Sequence, residues 1–116
     1  MNDALLDEMV AAFADDLRPI RRFFCLHEEG VTWVCPLVAI AIRRGVVDRA
    51  DPGIEIDGGA NAALDWASDL WGFDLVVGIL DGFDGREPAK TDPDYLDGHE
   101  LGVAAAQQLS PRDPPV

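Results

Sequence analysis

The side chains with the most chemistry to offer are two thiols and two imidazoles, Cys25, His27, Cys35 and His99. Zinc fingers and ribbons gather such ligands in close pairs of the C-x2-C kind, where a tight turn brings both onto one ion. Cys25-Leu26-His27 instead sets two of them on one face of a strand with no such turn. The spacing predicts no metal site, and a buried strand cysteine serves as a small hydrophobe. Two cysteines are also too few for a disulfide framework and are expected as thiols.

Aspartate-glycine strings raise calcium as a second chemistry, at Asp81-Gly-Phe-Asp-Gly and at Asp92-Pro-Asp-Tyr-Leu-Asp-Gly. In the second, Asp92 and Asp94 suit the first and third positions of an EF-hand loop. Leu96 then fills the fifth position, Asp97 the glycine position and Val103 the bidentate glutamate position, so the loop fails as a cage. Helix caps and turns account for these residues instead. No nucleophile motif, HExxH or phosphate loop occurs, and carboxylates are too numerous for any one pair to single itself out as an acid/base couple. The sequence therefore predicts a non-catalytic protein without a cofactor.

Charge is the strongest compositional fact. Twenty-two acidic against nine basic residues give −13 over 116 residues. Residues 1–17 carry five acids and no base (−5), residues 18–50 six arginines against three acids (+3), and residues 51–100 thirteen acids against Arg86 and Lys90 (−11). Such a field repels nucleic-acid phosphates, excluding direct DNA or RNA binding, and speeds encounter with a basic surface. A magnitude of about 2–8 suffices to keep a small domain in solution. The excess repels itself, so it points to a basic partner or to a high-salt environment.

The elements that would carry these charges follow from period and punctuation. The expected fold is α+β, mostly helical, with about five helices and one β-hairpin near residues 20–34. One compact domain over 1–109 and a disordered, proline-rich tail over 110–116 are expected. Leu6, Met9, Val10, Phe13 and Leu17 recur at helical spacing over 3–17, and Pro19 stops the run. Short β-prone runs flank Glu28-Glu29-Gly30, a loop whose last glycine suits a left-handed turn position. Proline at the first position starts a second helix over Pro36–Arg44, and Gly45 ends it. Residues 48–58 read as a loop, with an extended piece at Ile54–Ile56.

A third helix is expected over 59–71, with Ala63, Leu64, Ala67, Leu70 and Trp71 inward and Asn61, Asp65 and Asp69 along a polar edge. Asp74 caps a fourth helix to Phe83. Its Gly78 and Gly82 either admit another backbone or fray a surface helix, and fraying is the favoured expectation. Asp92-Pro93-Asp94 opens the last helix, which runs to Leu109 with Tyr95, Leu101, Ala105 and Leu109 inward. No apolar stretch approaches the ~20 residues of a membrane span. The acidic Met-Asn-Asp start is the reverse of a secretory signal, so a cytoplasmic setting is expected, that of a bacterial host for a phage-encoded chain.

Small size, acidity and lack of catalytic motifs, with the strings Cys35-Pro36-Leu37-Val38-Ala39-Ile40-Ala41 and Gly82-Phe83-Asp84-Gly85, resemble the short accessory proteins of phages and prophages. Among these the anti-CRISPR proteins and other DNA-mimic inhibitors are the nearest in character. The resemblance implies occlusion: an acidic face docks on the lysine- and arginine-lined DNA channel of a basic nucleic-acid-binding protein, such as a CRISPR effector. The expected contact carboxylates are Asp65 and Asp69, one turn apart on the third helix, with Asp94, Asp97 and Glu100 on the last. The alternative is an adaptor or oligomer subunit that binds through an apolar face anchored by Trp66, taken to be exposed beside the buried stripe.

Overall fold

The computed structural model describes residues 3–13, 17–22, 25–28, 30–46 and 59–113, without the side chains of residues 25, 27 and 59–62. Five helices and three strands occur among them: α1 (Asp3–Ala11), β1 (Leu17–Pro19), β2 (Cys25–Glu28), β3 (Val31–Val34), α2 (Pro36–Arg43), α3 (Gly59–Trp71), α4 (Phe73–Phe83) and α5 (Pro93–Leu109). The fold is α+β and mostly helical. The expected loop over 48–58, the piece at Ile54–Ile56 and the polar-edge side chain of Asn61 lie outside the described residues.

β3 is the middle of a three-stranded sheet, parallel to β1 and antiparallel to β2. Glu28 pairs with Val31, so the β2–β3 hairpin turns through two residues rather than the three expected, and Gly30 takes φ 79° there. β1 is a correction, since Leu17 was expected in the first helix and Pro19 as its stop. Proline lacks the N–H that a central strand must donate, and β1 is accordingly an edge strand. The tail is a second correction over residues 110–113, while 114–116 lie outside the described residues. Ile20 bridges Arg112, whose N–H donates to the Pro19 carbonyl at 3.1 Å while its own carbonyl accepts from Arg21 N–H at 2.9 Å. The Arg112 guanidinium lies 4.7 Å from the Trp33 ring centroid and donates to Glu28 at 2.8 Å. Residues 110–113 are thus docked on the sheet.

α2 is the centre of the core. Its run Pro-Leu-Val-Ala-Ile-Ala has no polar face, and residues 36–41 are buried all round. The helix ends as expected at Gly45, φ 75°, where Gly45 N–H bonds the Ile42 carbonyl and Val46 N–H the Ala41 carbonyl. That pair of bonds satisfies carbonyls the helix itself leaves open. Alanines at 63 and 67 let α3 approach, and the same core takes Leu5 and Met9 of α1, Val76, Ile79 and Phe83 of α4, and Leu101 and Ala105 of α5.

α4 and α5 make the most extensive helix contact. They run parallel: Gly78 lies against Tyr95 to His99, Gly82 against His99 to Val103, and Gly98 and Gly102 lie reciprocally against Leu75 to Phe83. A Cβ at any of the four would fall 2.1–2.2 Å from a backbone carbonyl oxygen of the facing helix. The expected fraying at Gly78 and Gly82 is therefore overturned: both are buried, and the missing side chains are what let the backbones meet. A parallel pair requires the chain to return along α4, and residues 84–92 do so. Arg86 N–H bonds the Asp81 carbonyl at the far end of α4, while Lys90 pairs at 3.5 Å with Asp74 at its start.

Candidate acidic interaction surface

The returning segment is fixed by polar side chains that the sequence alone did not connect. Tyr95, fully buried, donates its hydroxyl proton to Asp81 Oδ2 at 2.6 Å and accepts from Ala89 N–H at 3.0 Å. Burial, then the hydrogen bond to Asp81, holds its phenol above the usual tyrosine range. Asp81 also faces Arg86 at 3.7 Å, and His99 Nε2 lies 2.7 Å from the Arg86 carbonyl oxygen. Asp84 is buried and accepts the Arg22 N–H at 2.7 Å. That bond holds Arg22 at φ 67°, a conformation costly for a non-glycine residue, in the turn after β1. Burial pushes the Asp84 carboxyl above its ordinary value, against the opposing pull of the Arg22 N–H and Arg86. The first Asp-Gly string therefore supplies anchors to Tyr95, Arg86 and Arg22, and the second is the start of α5. Among the described residues no three His, Cys, Asp or Glu side chains gather as a metal site, and the side chains of Cys25 and His27 lie outside that set.

A second cluster ties α1 to the α2–α3 side. Arg44 grips Glu8 through two hydrogen bonds, of 2.5 and 2.6 Å, and its guanidinium lies 5.5 Å from the ring centroids of both Trp66 and Trp71. The bonds from Arg44 pull the Glu8 carboxyl below its usual range, outweighing its partial burial. Trp66 meets Trp71 edge-on at 5.4 Å and packs on the core. Trp66 is thus half-buried and engaged, correcting its expected exposure. Leu70, expected inside, is 50% exposed. Trp71 occupies the inward position one turn beyond Ala67, which turns its neighbour Leu70 outward.

The five carboxylates singled out from sequence are all exposed, Asp65 and Asp69 on α3 and Asp94, Asp97 and Glu100 on α5. Helical spacing sets them as two rows, on separate helices that each pack on α4. Five cations pair with other acids: Arg21 faces Asp113, Arg44 Glu8, Arg86 Asp81, Lys90 Asp74 and Arg112 Glu28. Among the described residues neither row is neutralised by an ion pair. Sequence reasoning missed one exposed apolar feature beside the α3 row, Phe73, which is 64% exposed where α4 starts. Its signal was the aromatic immediately after Gly72, a break at φ 95° that lifts the residue out of the α3 stripe.

Fold and surface together define a mostly helical α+β protein with two exposed carboxylate rows that no ion pair among the described residues neutralises. No family model, no curated protein and no solved structure matches the chain. Among the described residues no helix is long and apolar enough to cross a membrane.

Proposed function

We propose that the protein is a non-catalytic binding protein that occludes a basic, nucleic-acid-binding surface of a partner, in the manner of an anti-CRISPR DNA mimic. The observation that carries this is the partition of charge: Arg21, Arg44, Arg86, Lys90 and Arg112 pair with Asp113, Glu8, Asp81, Asp74 and Glu28, and among the described residues no ion pair reaches the α3 and α5 rows. On α5 the exposed carboxylates of Asp94, Asp97 and Glu100 span about 9 Å of helix axis, or about one charge per 4.5 Å. A single DNA strand carries one phosphate per roughly 3.4 Å of axis, so a groove of lysines and arginines spaced for DNA meets a similar density here.

The test is competition for a DNA-binding effector. Asp94→Asn/Asp97→Asn/Glu100→Gln and, separately, Asp65→Asn/Asp69→Asn should each weaken partner binding and flatten its salt dependence while leaving the thermal midpoint unchanged or higher, through relief of repulsion. Binding that is indifferent to both sets would remove the proposal. The adaptor alternative loses its Trp66 anchor to the core and retains Leu70 and Phe73 as its exposed apolar residues.

A further inference from the structure

We propose that the elbow between α3 and α4 is a docking surface for a basic amphipathic helix of a partner protein. Leu70 and Phe73, the two most exposed large apolar side chains among the described residues, stand on either side of Gly72. Asp65 and Asp69 form an exposed row on the last turns of α3, directly beside the Trp66–Leu70 row. An apolar step thus adjoins a double negative charge, within nine residues of chain. Lys90 adjoins Phe73, its ammonium 5.9 Å from the ring centroid, and pairs with Asp74.

Charge selects the occupant. A second copy would bring its own Asp65 and Asp69, and a net −13, against the same charges, so self-association is opposed. A helix with an apolar stripe flanked by lysine or arginine satisfies both halves of the surface. Its stripe covers Leu70 and Phe73, and its cations reach Asp65 and Asp69. Covering the exposed parts of these two side chains removes apolar surface from water, a gain that salt does not screen, so docking persists when the ion pairs have been weakened. The surface shares Asp65 and Asp69 with the occlusion reading but not the α5 row, so the α5 variants and the serine variants at Leu70 and Phe73 separate the two.

The experiment titrates isotope-labelled protein with a synthetic peptide of leucine and lysine at helical spacing, and with a scrambled peptide of the same composition, followed by amide chemical shifts. The ordered peptide should perturb residues 65–74 and keep measurable affinity at about 0.5 M salt, where the scrambled one is lost. Leu70→Ser/Phe73→Ser should weaken the ordered peptide by about tenfold or more. Phe73→Ser alone, at the most exposed of the positions, should act in the same direction with the fold intact. Asp65→Asn/Asp69→Asn should weaken binding at low salt only, and Asp94→Asn/Asp97→Asn/Glu100→Gln by less than about twofold. Shifts centred on α5, equal binding of the two peptides, or indifference to the serine variants would overturn the proposal. So would a wild-type dimer in sedimentation that Phe73→Ser abolishes, since a second copy would then be the occupant. Loss of DNA competition with peptide docking retained would count against occlusion alone.

Discussion

Asp84 makes a specific contact at a cost in charge. Its carboxylate receives the Arg22 N–H, yet burial raises its proton affinity above that of the unfolded chain. The folded state therefore binds the proton more tightly, and stability falls as pH rises from the ordinary aspartate value through the raised one, remaining lower above it. Asparagine keeps the acceptor oxygen and removes the charge. Asp84→Asn should stabilise the protein at neutral pH, with the gain vanishing in acid, as read by denaturant titration across that range. Tyr95→Phe should go the other way, costing about 1–2 kcal/mol by leaving Ala89 N–H and Asp81 without the hydroxyl. Neither pair was legible in the sequence. Asp81 and Tyr95 are fourteen residues apart and Asp84 and Arg22 sixty-two, and no local spacing rule links them.

Among the elements, α4 and α5 carry the sharpest steric constraint. Gly82→Ala or Gly98→Ala would drive a Cβ into the facing backbone, where no side chain can yield, and each should destabilise by about 3 kcal/mol or more in urea unfolding. Alanine raises intrinsic helicity, so an exposed, frayed helix would be stabilised by the same change. The starts of α2 and α5 were legible because Cys35-Pro36 and Asp92-Pro93 fix φ at the first helical position, and the end of α2 because Gly45 accepts a positive φ. The glycines of α4 and α5 were visible as residues but not as partners, since their meeting depends on the return of 84–92 along α4. β1 and the docked 110–113 were missed for a related reason: a three-residue strand and a proline-rich tail acquire order only from the sheet edge each finds. Arg112→Ala should accordingly alter Trp33 fluorescence and cost about 1 kcal/mol.

At the scale of the whole molecule, net charge was legible from composition, but its disposition was not. The sequence named Asp65, Asp69, Asp94, Asp97 and Glu100 by helical spacing, and the structure exposes each while pairing the cations with other acids. Trp66 could not be placed by spacing alone, because Arg44 arrives from another element to seat it against Trp71. On the proposed reading, these rows and DNA exclude each other on a basic partner. The most direct measurement is fluorescence anisotropy of labelled DNA on a panel of guide-loaded CRISPR effectors, titrated with this protein at low and high salt. The expected result is displacement from at least one effector, steeply weaker with salt and reduced by Asp94→Asn/Asp97→Asn/Glu100→Gln. DNA retained on every effector at saturating protein, or a complex holding protein and DNA together with undiminished affinity, would contradict it.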